Sequence, residues 1–319
     1  MTNLFRGDYF EETPYQKINR HPEEQYCTLI GDILQQGFKE TGRNGNTRSI
    51  FGASMRFSLQ NNVIPIFTTK EVAWKACLKE LLWFIKGETN NSILQSQNVH
   101  IWDGNGSREF LDSRGLNENP EGVLGPIYGY QWRHFNAPYD ASTGQLSSEN
   151  NRGIDQLQSI IDQLKNPETR NSRRLIMTAW NPLQLDEMAL PPCHVMCQFN
   201  VHGENKLSCA LFQRSCDIAL GVPFNVASYS FLTHLIAKHC GLEAYEFVYF
   251  MGNCHLYEEH CKSTDKGFPP IIKQRLRKPY PFPTISLKQT RENINDYVLD
   301  DFIINNYQSH PAIKMKMIV

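Results

Sequence analysis

At 319 residues the chain is long enough to bury a sizeable core while staying within the range of one domain. A formal charge of −1, with 20% charged and 40% hydrophobic residues, gives no global attraction for nucleic acid or a membrane surface, so neither is an expected partner. Nine cysteines without Cys-x-x-Cys spacing argue against both a disulfide framework and a metal site. Residues 1–8 lack a signal-like apolar run and no segment is long enough to span a bilayer, so a reducing cytoplasmic setting is the best fit, with the nucleus left open.

Residues 1–22 are polar and read as a loosely attached arm, ahead of a single domain over 23–319. Tyr26, Leu29, Ile30, Ile33 and Leu34 recur at helical spacing, which predicts an amphipathic helix over 23–37. The Gly- and Asn-rich stretch 41–48 reads as a flexible loop carrying Arg43 and Arg48. Strands are expected over 49–59 and 63–67, then a strong helix over 72–84. Glu80 sits inside that apolar pattern, where a carboxyl costs free energy unless it is ion-paired or serves as a cleft-facing acid or base.

Residues 98–106 read as a strand followed by a turn, 125–135 as aromatic core filling, and 136–153 as a surface loop. A helix is expected over 154–164, and a strand headed by Arg173 and Arg174 over 175–180. Pro191 and Pro192 forbid helix, and the alternation from Val195 to Val201 marks a half-buried strand. Cys193 is therefore expected at a rigid loop-to-strand junction, followed by His194. A strand over 207–213 leads to Gln213, Arg214, Ser215 and Asp217, which place amide, cation, hydroxyl and carboxylate within a short span. A long apolar helix over 225–241 follows, with His234 and His239 assigned to packing or surface; 246–251 is a strand, and 268–283 a surface connection.

The strings Met-Ala-Leu-Pro-Pro-Cys-His (188–194), Gln-Arg-Ser-Cys-Asp (213–217) and Gly-Val-Pro-Phe-Asn-Val-Ala-Ser-Tyr (221–229) closely resemble the thymidylate synthase family. Thr68-Thr69-Lys70, Glu80-Leu81-Leu82-Trp83-Phe84, the runs 101–108 and 125–133, His255-Leu256-Tyr257 and the terminal 314–319 extend the likeness over nearly the whole chain. The resemblance implies an α+β fold with a large mixed sheet flanked by helices, packed back to back against its twin in a homodimer. It implies reductive methylation of dUMP to dTMP, with 5,10-methylenetetrahydrofolate as co-substrate and no metal.

Carried over position by position, Cys193 is the nucleophile, and Glu80, His194 and Tyr128 handle protons. Arg43 or Arg48, Arg214, Ser215 and the twin's Arg173 and Arg174 grip phosphate, with Arg214 also expected to lower the thiol pKa. Gln213 and Asn225 meet the pyrimidine, provided neighbours lock the Asn225 amide, and His255 and Tyr257 meet the sugar hydroxyl. Ile101, Trp102, Asn105, Asp217, Leu220, Gly221, Phe224 and Val319 line the folate end. Departures from the family pattern fall at Glu71, Ala73, Val123, Asn200, Ala219 and Asn253. Two rivals stay open: a hydroxymethylase on the same fold, and a paralogue that binds nucleotide or RNA without turnover.

Overall fold

The computed structural model describes residues 20–42, 45–147, 151–263 and 267–318. The expected arm over 1–22, apart from residues 20–22, together with Arg43 and Val319, lies outside the described residues. Six strands form one sheet: β1 (Phe38–Gly42), β2 (Gly45–Ser58), β3 (Ile176–Thr178), β4 (His194–His202), β5 (Lys206–Asp217) and β6 (Glu243–Tyr257). Their order is β1-β2-β6-β5-β4-β3. Only the β5–β6 pair is parallel, so the sheet is mixed as expected.

The helices that matter for the site are α1 (Glu24–Gln36), α2 (Trp74–Ile85), α3 (Tyr128–His134), α4 (Gln156–Lys165), α5 (Gly221–His239) and α6 (Pro270–Arg275). Almost every residue of α5 is buried, and it packs against β5, β6 and α2. Its interior hydroxyls are satisfied within the helix: Ser230 Oγ donates to the Val226 carbonyl and Thr233 Oγ1 to that of Tyr229. Ser230 and Thr233 thus stay buried in α5 with their hydroxyls hydrogen-bonded. Helix α3 lies hard against α2. A Cβ on Gly129 would stand 2.5 Å from the Phe84 carbonyl oxygen, so only glycine permits the approach that brings Tyr128 beside α2.

Several expected elements differ. Residues 63–67 are extended and buried but form no strand; Val63 makes one isolated bridge to Thr284. Pro65 has no N–H to give a ladder, so this apolar run is filled into the core instead. Residues 41–48 are not a free loop: Thr41 pairs with Asn46 and Gly42 with Gly45 in a β1–β2 hairpin. Residues 98–106 contain no strand, only turns and one helical turn at Asp103–Gly106, held by Asn91, Gln95 and His100 donating to the Asp103 carboxylate. The stretch 268–283 is more than a surface connection, because α6 buries Ile271 and Gln274 completely. Its proline at the first turn needs no N–H there, which is why a Pro-rich segment starts a helix.

Candidate active site

The site forms where the start of β4 and the end of β5 meet the N-terminus of α5, with α2 and α3 closing one side. Cys193 stands half-buried immediately before β4. Its backbone N–H donates to the Tyr128 hydroxyl at 2.8 Å, and its carbonyl accepts from the backbone N–H of Arg214 at 3.0 Å. The Arg214 side chain is fastened to the same loop: Nε donates to the Pro192 carbonyl (2.9 Å), Nη2 to that of Pro191 (2.8 Å), and the guanidinium lies over the Trp180 ring. Cation and thiol are therefore set by one short loop and one strand end.

Arg214 does draw the Cys193 thiol toward ionisation, as expected, and so does the Tyr128 hydrogen bond. Burial outweighs both, and the net displacement is upward. Burial likewise lifts the Tyr128 phenol well above its ordinary value, so that hydroxyl keeps its proton. It is a donor and acceptor at neutral pH, and not a base in its own right.

Glu80 projects from α2 and is 6% exposed. It has no ion pair among the described residues; its partner is the Trp102 indole, whose Nε1 donates to Oε1 at 2.7 Å. Burial raises this carboxyl to about 7, with the indole bond opposing. No ion pair accounts for its burial among the described residues, and a carboxyl raised to about 7 is suited to exchanging a proton near neutrality.

Asn225, one turn into α5, is locked from both sides. The chain of bonds starts at a carbonyl, which can only accept. Gln213 Nε2 donates to the Ser215 carbonyl (2.9 Å), so its amide nitrogen also faces Asn225 and donates to Oδ1 (3.2 Å). Gln213 Oε1 accepts from the Tyr249 hydroxyl at 2.6 Å. Asn225 Nδ2 must then face His194 and donate to Nε2 at 2.7 Å, which puts the imidazole proton on Nδ1. Each end of the Asn225 amide keeps one unused hydrogen-bonding direction. His194 does not bond to Glu80, its Nδ1 has no partner among the described residues, and burial drops its pKa to about 3. His194 is a neutral ring in this arrangement, and its Nε2 fixes which way the Asn225 amide points.

Further along β6, His255 and Tyr257 meet edge to face with centroids 5.2 Å apart. Asn253, an atypical residue in the sequence, accepts at Oδ1 from His255 Nδ1 (3.0 Å), and Nε2 of His255 has no hydrogen bond among the described residues. Burial lowers the His255 pKa, which keeps the ring neutral. At the other end Asp217 Oδ1 caps the approach to α5 by accepting from the N–H groups of Ala219 and Leu220. Gly221 lies beside both Asp217 and Asn225, and the Phe224 carbonyl accepts from the Cys77 thiol. Trp102 is 6.0 Å from Tyr128, with Ile101 and Asn105 on the same turn region.

The two expected arginines at the head of β3 do not reach this site within the chain. Arg173 and Arg174 are exposed, and neither guanidinium has a partner among the described residues. Arg48 is occupied on β2, where Nη1 donates to the Leu34 carbonyl at the end of α1. Three residues of the site carried no assigned role in the sequence. Tyr249 looks like any inward aromatic of a strand, and nothing local distinguishes it. Lys70 is buried beside Asp217, donates to the Ala219 carbonyl, and is lowered to about 8 by burial. Glu23 holds the loop that carries Lys70. A lysine and a glutamate at the edges of apolar runs were the available signal.

A half-buried thiol on a loop fastened to an arginine, a carboxyl raised to about 7 and a directionally fixed amide are groups suited to nucleophilic chemistry. The family model for thymidylate synthase matches residues 24–319, and the chain belongs to that family. It is 49% identical over 316 residues to the bifunctional dihydrofolate reductase-thymidylate synthase of Leishmania major, covering 98% of this chain and 58% of that protein. It is also 49% identical over 310 residues to a probable thymidylate synthase of Schizosaccharomyces pombe, covering 93% of this chain and 47% of that protein. A putative bifunctional relative from Oryza sativa is 45% identical over 316 residues, covering 99% of this chain and 61% of the relative. The chain thus spans about half the length of the curated relatives it matches.

Proposed function

We propose that this chain carries out the reductive methylation of dUMP to dTMP, with 5,10-methylenetetrahydrofolate as co-substrate and dihydrofolate as the second product. The observation that carries the reading is the Ser215–Gln213–Asn225–His194 chain of bonds. It fixes an amide with one free N–H and one free lone pair side by side, close in the fold to a thiol. That pair matches the O4 and N3–H edge of uracil and mismatches cytosine, whose corresponding atoms reverse the pattern.

The Cys193 thiolate adds to carbon 6, forming the Sγ–C6 bond while the ring's electron pair moves toward carbon 5 and O4. Asn225 holds that oxygen as charge develops, and Glu80, near 7, supplies and removes the proton. Arg214 favours the thiolate and, with Ser215 and Arg43, accepts phosphate. The Nε2 atom of His255 accepts the sugar's 3′-hydroxyl, with Tyr257 beside it. Ile101, Trp102, Asn105, Asp217, Leu220, Gly221 and Phe224, with Val319, would hold the folate. An indole face and a carboxylate suit a flat heterocycle with N–H donors. That co-substrate supplies the one-carbon unit and the hydride.

A homodimer completes the reading. The outer face of the sheet exposes Ile176, Phe212 and Phe250, with Phe212 directly opposite Phe250 in the β5–β6 register, an apolar surface suited to back-to-back packing. The exposed Arg173 and Arg174 would then serve the twin's phosphate site. Dihydrofolate formation from dUMP and methylenetetrahydrofolate, followed by absorbance, tests the reaction. A product heavier than dUMP by a hydroxymethyl group, without dihydrofolate, would contradict it in favour of the hydroxymethylase. Tight dUMP binding without turnover would favour the non-catalytic paralogue.

A further inference from the structure

We infer that His260 is a positioning residue that latches the C-terminal segment to the sugar-binding rings, so that nucleotide occupancy and tail placement are coupled; this rests on the nucleotide site proposed above. Asn253, His255 and Tyr257 alternate along β6, and the chain turns directly from them into the short 3-10 helix that carries His260. The His260 ring is 1% exposed and meets the edge of Tyr257 at 5.8 Å and 84°, while Tyr257 meets His255 at 5.2 Å and 86°. On its other side, His260 Nε2 donates to the Lys316 carbonyl at 2.8 Å.

The tail has firm anchors earlier: His310 bonds to the Thr68 and Lys278 carbonyls, and Arg277 donates to the Pro311 carbonyl. Over 312–318, the His260 bond is the one hydrogen bond among the described residues. A single buried imidazole is thus shared between the aromatic pair at the proposed sugar site and the 312–318 stretch. Fixing Tyr257 against a bound sugar fixes the ring that holds Lys316, and the reverse follows by reciprocity.

Hydrogen exchange of the 313–318 amides, read by mass spectrometry on the wild-type protein, is the test. Addition of dUMP is expected to slow exchange there roughly three- to tenfold, the worth of about one hydrogen bond, whereas the 3′-deoxy analogue leaves it unchanged at matched occupancy. Two variants separate the two contacts. His260→Phe keeps a ring against Tyr257 and loses the donor: tail exchange rises and no longer responds to dUMP, and dUMP affinity falls by the same roughly three- to tenfold factor, as reciprocity requires. His260→Gln keeps a donor and loses the ring: dUMP affinity falls severalfold. Tail exchange that ignores dUMP, or that the 3′-deoxy analogue slows equally, overturns the latch while leaving a dUMP-consuming enzyme intact. Absence of dUMP binding to the wild type overturns both the latch and the nucleotide reading.

Discussion

Two buried glutamates, one just ahead of α1 and one in the middle of α2, have opposite fates. Glu23, just ahead of α1, is wholly buried and its carboxylate accepts three hydrogen bonds: from the Thr68 N–H (2.8 Å), the Thr68 hydroxyl (2.7 Å) and the Thr69 N–H (2.8 Å). Glu80, on α2, is 6% exposed and accepts one, from Trp102. A carboxylate ringed by donors ties a loop in place; one with a single donor in an apolar wall cannot be solvated and keeps its proton to about 7. Burial alone does not separate structure from chemistry. The count of donors does.

That contrast is sharpest under matched substitutions. Glu80→Gln retains an acceptor for Trp102 and removes the exchangeable proton, so kcat is expected to fall by about 10²–10⁴ with little loss of stability. Steady-state dihydrofolate formation and thermal melting check the two halves. Glu23→Gln turns an amide N–H₂ toward an N–H that needs an acceptor. Its expected cost is about 1–3 kcal/mol in urea unfolding, with the folded fraction still turning over.

The pH dependence of stability follows from the same residue. The folded-state pKa of Glu80 is raised from an ordinary 4.5 to about 7, so between those values the folded protein binds more protons than the unfolded chain. Its contribution is therefore fully present below about 4.5 and lost as pH rises through 7, a change of roughly 3 kcal/mol. Glu80→Gln should flatten that slope; an unchanged slope in pH-resolved denaturant titrations counts against the assignment. A smaller effect is expected at Arg214. Because its guanidinium favours the Cys193 thiolate, Arg214→Ala should move the midpoint for alkylation of the Cys193 peptide to higher pH. The smallest is Tyr249→Phe, which removes one donor from Gln213 and should lower kcat/KM for dUMP by about three- to tenfold.

Much of the site was legible because its signals were local. Two prolines before Cys193 and an alternating run after it require a loop-to-strand junction. Glu80 stands out because an acid is anomalous within an apolar helix face. What was not legible depends on partners distant in the chain. Nothing near Tyr249 shows that its hydroxyl orients Gln213, nor does Asn253 show that it sets the His255 tautomer. The neutral state of His194 follows from enclosure by Tyr128 on α3 and by Asn225 and Tyr229 on α5, two segments distant in the chain. The misread elements share one cause: Val63 to Phe67 has strand composition without a pairing edge, and Asp103 to Gly106 has loop composition but a side-chain network that holds a helical turn. Tertiary partners overrode local preference in both.

The central claim is covalent attack by Cys193 on the pyrimidine ring, and release of tritium from 5-tritiated dUMP reports it most directly. With methylenetetrahydrofolate present, the wild-type protein should release tritium in step with dihydrofolate formation, and Cys193→Ala should release none above background while remaining folded. Tritium release by Cys193→Ala at the wild-type rate would contradict the account.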